Sequence, residues 1–486
     1  MPISADQIEN FEGAVVTVMG LGRYKQGSGI GAAKWLLRHG SQLVITDLKN
    51  KDELKESIDE IMGWYEIYRS TYTDREIYQP IFVLGEHHEE DFTDVDLVMQ
   101  NPGVPRESHF VQLAKAHGVS VESDISLFFR LYKYPIYAVT GTRGKSTTTA
   151  LIGEMLKTLH PKTVVAGNIT ISPLEFLDDL LTENQPVPVI LELSSWLIES
   201  LENIRRGPEI GVLTNIYEDH LNRYGSMEAY IASKMSMFDF QTKEQKAVVN
   251  LDHPIVKTLH EKIHSQIYPF SKTFIPEIDG CFIEDNHLVV RYQGKEESIL
   301  PLNEIRLQGN HNYENSLAAV MVCVLAGVSF EGIRTALRTF SGLAGRQEEL
   351  GDIDGVFYIN DTTATSPDGL LAALDRFGPN GKIILIAGGA SKNLSFDTVA
   401  EAVSRLCKFV VLLDGEGSVA FEKSLNSQLP ITWAKSMQEA VQLARAQAQK
   451  GDIILLSPAT ASFGLFKNEY DRGQQFVEEV NRWRKK

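Results

Sequence analysis

The short β-rich run Ile136–Val139 feeds directly into Gly141-Thr142-Arg143-Gly144-Lys145-Ser146, and Ser146–Leu159 continues with helical character. Strand, glycine loop and helix in immediate succession restrict the fold to α/β. The helix packs back on a parallel sheet and aims the positive end of its dipole at whatever the loop holds. Two residues separate the glycines instead of four, a departure from the commonest phosphate-loop spacing. The chemistry survives it. Gly141 and Gly144 let main-chain N–H groups approach phosphate oxygens, Lys145 reaches the outer phosphates, and Ser146 offers a hydroxyl to Mg²⁺. A plain strand-to-helix turn with a surface lysine is the weaker reading.

The α/β pattern recurs on both sides. Upstream, the apolar run Ala14–Met19, a glycine-rich turn, the helical stretch Ile30–Arg38 and the run Leu43–Thr46 ending at Asp47 make a βαβ opening of Rossmann type. Ile81–Leu84 and Leu97–Met99 read as further strands and Arg106–His117 as a helix. Beyond the phosphate loop, Val187–Leu193 and Gly211–Thr214 read as buried strands and Ser226–Phe238 as a helix. The stretch Gln266–Pro301, with short alternating runs at Cys281–Ile283 and Leu288–Tyr292, is expected to form a small antiparallel β appendage. Helices at Asn312–Leu325 and Phe330–Arg338 precede the turn-like Leu343–Leu350. Val356–Ile359, Ile383–Ala387, Phe409–Leu413 and Ile453–Leu456 then alternate with helical stretches in a third doubly wound unit.

At 486 residues the chain exceeds what one core organises. Three α/β domains are expected: a Rossmann-like one over 1–122, a central P-loop ATPase-like one with a mixed sheet over 123–342, and a second Rossmann-like one over 343–486. A net charge of -17 argues against a nucleic-acid surface, which needs clustered Lys and Arg. No secretory signal is expected from Met1–Asn10, and no run of about 18 apolar residues could span a bilayer. Cys281, Cys323 and Cys407 are few and far apart, without metal-like spacing, and read as reduced thiols of a cytoplasmic protein. A monomer is expected.

Other residues are informative mainly in combination. Glu192 closes a strand in Leu191-Glu192-Leu193-Ser194-Ser195-Trp196, a good position for Mg²⁺ beside a phosphate loop, although strand-end acids are often merely solvated. Thr214-Asn215-Ile216-Tyr217-Glu218-Asp219-His220 also follows a strand; a histidine there alone is more often structural than a ligand. Lys234 alone reads as an exposed helix lysine. Gly20, Gly22, Gly27, Gly29 and Gly31 suggest a dinucleotide site, but Arg23-Tyr24-Lys25-Gln26 breaks the G-x-G-x-x-G spacing.

In their order, the phosphate loop, the Glu192 strand end, the Asn215–His220 segment, Lys234 and Gly309-Asn310-His311-Asn312-Tyr313-Glu314-Asn315 resemble the Mur ligase family of peptidoglycan synthesis. The resemblance runs over nearly the whole chain. Ala459-Thr460-Ala461-Ser462-Phe463, Phe466-Lys467-Asn468 and Arg472-Gly473 are most similar to members that add glutamate to UDP-N-acetylmuramoyl-L-alanine. The resemblance implies that ATP is held by Gly141, Thr142, Arg143, Gly144, Lys145, Ser146 and Thr147, with Asn315, Arg346 and Asp361. It implies one Mg²⁺ at Ser146 and Glu192 and a second served by His220 and Lys234, with Lys234 carbamylated. Lys145, His220 and Lys234 would form the catalytic set. Asn168 and Ser194 would touch the muramoyl-peptide or the metal environment. Asp47 and the turn after Met19 would hold the uridine nucleotide, and Thr365, Lys392 and Ser462 the incoming glutamate. The implied reaction passes the γ-phosphate of ATP to the substrate carboxylate, giving an acyl phosphate that the glutamate amine attacks.

The chain departs from the family pattern in several places. The loop Arg23–Ser28 is longer, Thr170 stands where a glycine is usual, Gly345 replaces a histidine, Thr363 a lysine, and Glu469 an aromatic. These changes leave open whether D- or L-glutamate enters. Three other readings compete: a ligase extending folates with glutamate, which has no reason for a uridine-binding domain; a non-catalytic nucleotide-binding protein, which has no need of Glu192, His220 and Lys234; and an NAD oxidoreductase, whose fingerprint is absent.

Overall fold

The computed structural model describes residues 11–22, 27–169, 171–392, 394–425 and 429–484. Arg23–Gln26, most of the extended loop, and Thr170 lie outside the described residues. Among the described residues there are three sheets. The first comprises β1 (Val15–Met19), β2 (Gln42–Asp47), β3 (Ile81–Leu84), β4 (Leu97–Gln100) and β5 (Ser120–Glu122), parallel throughout in the order β3-β2-β1-β4-β5. Strand order reverses beside β1, which makes the carboxyl ends of β1 and β4 the topological switch point of this sheet.

The second sheet runs β14-β13-β12-β11-β10-β9-β6-β8-β7. Its strands are β6 (Ile136–Thr140), β7 (Val164–Gly167), β8 (Val189–Glu192), β9 (Ile210–Leu213), β10 (Lys246–Asn250), β11 (Gln266–Ser271), β12 (Gly280–Glu284), β13 (His287–Tyr292) and β14 (Lys295–Pro301). Every residue of β6 is buried, as a central parallel strand covered on both faces requires. The β appendage expected over Gln266–Pro301 is continuous with the central sheet. β11 pairs in parallel with β10, and β12 with β11, so the stretch extends the central sheet, and only β12–β14 are antiparallel. Alternation in sequence reveals a half-buried strand; it does not reveal which open edge the strand joins.

These two sheets belong to one compact unit, Met1–Leu302 with Glu314–Leu337, and share a hydrophobic core. The helix Asp124–Leu131 leads from one sheet to the next. Ser123 and Ser126 close a capping box at its start, Ser126 N donating to Ser123 Oγ at 3.1 Å and Ser123 N to Ser126 Oγ at 2.8 Å. The helix Ser28–Arg38 packs on the helix Leu174–Thr182, where one carboxylate gathers three partners. Asp178 Oδ1 lies 2.9 Å from both Trp35 Nε1 and His39 Nε2, and Oδ2 lies 3.3 Å from Arg38 Nε. The 17-residue helix Lys55–Thr71 was not read from the sequence, because only Ile58, Ile61 and Tyr65 mark its buried stripe among charged residues.

The other compact unit, Asn303–Tyr313 with Arg338–Lys486, carries the third sheet. β15 (Glu348–Ile353), β16 (Val356–Asn360), β17 (Ile383–Ala387), β18 (Cys407–Leu413), β19 (Ile431–Ala434) and β20 (Ile453–Leu456) take the order β15-β16-β20-β17-β18-β19. β15 is antiparallel to β16 and the remaining pairs are parallel. Apolar clusters cover both faces, as near-continuous apolar runs such as Ile383–Ala387 demand.

Candidate active site

The phosphate loop crosses from β6 to the helix Lys145–Lys157, and its two glycines are required by their surroundings. Gly141 has φ +147°, and a Cβ there would stand 2.0 Å from Thr214 Oγ1. Gly144 has φ +79°, and a Cβ there would stand 2.4 Å from Asn315 Oδ1. Asn315, from the helix Asn310–Leu325, thus reaches the loop itself and also accepts from Thr148 Oγ1 at 3.1 Å. The segment after β9 braces the loop from the other side. Thr142 N donates to Asn215 O at 2.9 Å, Arg143 N to Asn215 Oδ1 at 2.8 Å, and Thr214 Oγ1 to Arg143 O at 2.7 Å. Asn215 therefore occupies two loop amides.

Two lysine amines converge on one carbonyl of this loop. Lys145 Nζ donates to Gly141 O and Thr142 O, both at 3.0 Å, and Lys234 Nζ donates to Gly141 O at 2.9 Å. Lys234, on the helix Met227–Asp239, is 1% exposed, unlike the exposed helix lysine that its local sequence alone suggests. The amine sits 4.7 Å from the centroid of the Tyr230 ring. Burial first, then repulsion from Lys145, pushes this amine well below the usual lysine range.

Glu192 ends β8, in register with Val139 of β6 and Gly167 of β7. It is 1% exposed; Oε1 accepts from Asn168 Nδ2 at 2.8 Å, while Oε2 is buried without a hydrogen-bond partner among the described residues. Gly167 makes this possible: at φ +98°, a Cβ would stand 2.3 Å from Glu192 O. An unsatisfied buried carboxylate oxygen is costly unless a cation completes it. The donor set fits Mg²⁺, which takes few carboxylates plus a hydroxyl such as that of Ser146, 5% exposed in the helix's first turn, and substrate phosphates. No group of three or more His, Cys, Asp or Glu among the described residues could hold a metal unaided.

His220 adopts the left-handed region at φ +55° and begins the short helix Leu221–Tyr224. Its ring is half-exposed, 3.8 Å from Asp219 Oδ2 and beside Trp196, and Asp219 accepts from Arg143 NH1 at 3.1 Å. Ser194 caps the helix Ser195–Glu199, accepting from Leu197 N. Asp47 is committed to the main chain: Oδ2 accepts from Leu21 N and Oδ1 from Lys49 N, each at 3.0 Å. It shapes the glycine turn after β1 while its carboxylate is engaged.

In the other unit, Lys392 Nζ donates to Thr365 Oγ1 at 2.9 Å, and the Ala390–Ala461 bridge brings the loop after β17 to the loop carrying Ser462, which is 3% exposed. Asp361 is 4% exposed; Oδ2 accepts from Ser457 Oγ at 2.8 Å and Oδ1 from Gln347 N at 3.0 Å, tying the turn that carries Arg346 to the end of β20. Burial raises its carboxyl to about 7.

Residues 139–323 match the family model described as Mur ligase middle domain, and residues 345–460 that described as Mur ligase, glutamate ligase domain. The UDP-N-acetylmuramoylalanine--D-glutamate ligase of Roseiflexus sp. (strain RS-1) is 39% identical over 471 residues, 94% of this chain and 96% of that protein. The chain belongs to the Mur ligase family. Another Mur ligase, the UDP-N-acetylmuramoylalanine--D-glutamate ligase of Clostridioides difficile (strain 630), is 34% identical over 97% of this chain and 99% of its own length. The UDP-N-acetylmuramate-alanine ligase of Thermotoga maritima, 20% identical, shares the fold with a TM-score of 0.59 over 96% of this chain and 99% of that one.

Within this Mur ligase, two of the departures form one contact. Gly345 takes φ +71°, a Cβ there would stand 2.9 Å from Thr362 Cγ2, and Gly345 O accepts from both Thr363 N and Thr363 Oγ1. A histidine at 345 would be strained and would collide. Sequence reasoning missed Asn215 as the loop brace and Asn168 as the partner of Glu192. The only local signal was the placement of each directly after a strand.

Proposed function

We propose that this enzyme joins D-glutamate to UDP-N-acetylmuramoyl-L-alanine at the expense of ATP, in peptidoglycan precursor synthesis. The observation that carries the site assignment is the convergence of Lys145 and Lys234 on Gly141 O, in the same sheet-end cluster as the unsatisfied carboxylate oxygen of Glu192. The substrate carboxylate attacks the γ-phosphorus, ADP leaves, and the glutamate amine then adds to the acyl carbon. The tetrahedral intermediate expels phosphate as the amine loses its proton. Lys145 swings from its loop carbonyls to the outer phosphates, the helix Lys145–Lys157 contributes its positive end, and Asn315 holds the loop in shape. Glu192 and Ser146 would hold one Mg²⁺, and His220 with carbamylated Lys234 a second; bound metal supplies charge neutralisation at the transferring phosphoryl group. Carbamylation requires a neutral amine, which the burial of Lys234 supports.

Residues 1–122 are assigned to the uridine nucleotide, 123–342 to ATP and 343–486 to glutamate. Thr365, Lys392 and Ser462 meet the glutamate, Lys392 pairing with a carboxylate. Arg346 and Asp361 serve ATP, and Asn168 and Ser194 the muramoyl-peptide side. The reaction is assigned to the cytoplasm, where ATP is supplied and the buried, unpaired Cys281, Cys323 and Cys407 stay reduced. No helix among the described residues is long and apolar enough to cross a membrane.

The test is to incubate the enzyme with ATP, Mg²⁺, UDP-N-acetylmuramoyl-L-alanine and either D- or L-glutamate, following phosphate release and product mass. Product with D-glutamate is expected, and Lys145→Ala should abolish it. Absence of product with both enantiomers, or normal ligation by Lys145→Ala, would overturn the proposal.

A further inference from the structure

The helix Glu469–Arg484 buries a guanidinium completely: Arg472 is 0% exposed. Its partners are neutral oxygens. Nε donates to Thr362 Oγ1 at 3.1 Å, NH2 to Thr362 O at 2.7 Å and NH1 to Thr460 O at 3.4 Å. Among the described residues no carboxylate stands within ion-pair distance of it, and Glu469 and Asp361 act on it only at longer range. A buried cation without a carboxylate in contact is expensive, and an apolar residue of similar volume would serve stability better. What the guanidinium provides instead is a rigid planar fork that fixes three acceptor oxygens on two residues relative to each other.

Those acceptors lie on two different loops. Thr362 belongs to the loop after β16, which leads to Thr365, and Thr460 to the loop after β20, which leads to Ser462. The neighbouring residue supports the same contact. A Cβ at Gly473 would stand 2.5 Å from Thr362 Cγ2, so the glycine lets the first loop settle onto the helix. Thr362 Oγ1 in turn donates to Glu469 O at 2.7 Å, closing the junction at the helix start. Thr362 is 1% exposed and Thr460 2%, so neither contact is open to replacement by solvent.

We infer that Arg472 is the positioning residue of the glutamate pocket: from beneath, it sets the separation of Thr365 and Ser462 without touching substrate. This rests on the proposed ligation of glutamate. Arg472→Lys keeps a charge but loses the fork, Thr362→Val removes the hydroxyl with its shape kept, and Gly473→Ala pushes the first loop off the helix at Thr362. Displacing a binding group by a fraction of an ångström to an ångström costs about ten- to a hundredfold.

The experiment measures KM for glutamate, ATP and UDP-N-acetylmuramoyl-L-alanine, with kcat, for the unmodified enzyme and the three variants. A rise of about tenfold or more in KM for glutamate is expected in Arg472→Lys and Gly473→Ala, and a smaller one in Thr362→Val. The other two KM values should stay within about twofold. If Arg472→Lys does not fold, the other two variants carry the same test. With an active parent, an unchanged KM for glutamate, or a parallel rise in all three KM values, overturns the positioning role alone. A parent enzyme that does not ligate glutamate overturns both this inference and the reading beneath it.

Discussion

Asp361→Asn should stabilise the second unit in a pH-dependent way. Asp361 is 4% exposed, and burial lifts its carboxyl to about 7. In the unfolded chain an aspartate titrates at about 4. Between those values the native state retains a proton that the unfolded state has released, so stability falls as pH rises. The contribution is fully present below about pH 4 and gone above about pH 7, at about 1.4 kcal/mol per pH unit, or about 4 kcal/mol in all. Asparagine does not ionise. Its Oδ1 can still accept from Gln347 N and its Nδ2 can donate to Ser457 Oγ, so the contacts at 3.0 and 2.8 Å in the parent survive the change. Hydrogen exchange of β16 and β20 amides, compared between variant and parent at one pH at a time, reads the difference without interference from intrinsic exchange rates. The variant should gain about 4 kcal/mol over the parent at about pH 8.5 and less than about 1 kcal/mol at about pH 4.5. An equal difference at the two pH values would refute the reasoning, because it would mean that the Asp361 carboxyl ionises as easily in the folded unit as in the unfolded chain.

Gly141→Ala should destabilise the phosphate loop by about 2 to 5 kcal/mol, from backbone strain at φ +147° and collision with Thr214 Oγ1; calorimetric titration with an ATP analogue should show binding weakened to match. Glu192→Gln preserves shape and the Asn168 contact but removes the charge that a cation would meet. Its affinity for Mg²⁺-nucleotide should fall by about tenfold or more, and its affinity for metal-free nucleotide should hold; equal losses would argue against a metal at Glu192. Asp178→Ala strips Trp35 Nε1, Arg38 and His39 of their shared acceptor and should cost about 1 to 3 kcal/mol in urea unfolding, with a shift in Trp35 emission.

The strand–loop–helix at Gly141–Ser146, the apolar runs of the three sheets and the need for glycine at 141 and 144 were legible in the sequence. Each follows from interactions spanning a few residues: side-chain periodicity, the freedom of glycine at positive φ, and the N-terminus of a helix. The order of motifs along the chain also sufficed to indicate the family. What the sequence left open depends on residues far apart in the chain. Lys234 reads as an exposed helix lysine until the strands β6 and β9 bring Gly141 O beneath it. Glu192 alone reads as a strand-end acid, suited to Mg²⁺ or merely solvated, until β7 pairs beside it and supplies Asn168. The runs after Gln266 read as an appendage until β10 offers them an edge. Burial, and with it the protonation of Lys234 and Asp361, is set by how strands and loops close over a group. Local sequence determined only which residues could be covered; the tertiary structure decided which were, because desolvation is a property of all the neighbours together.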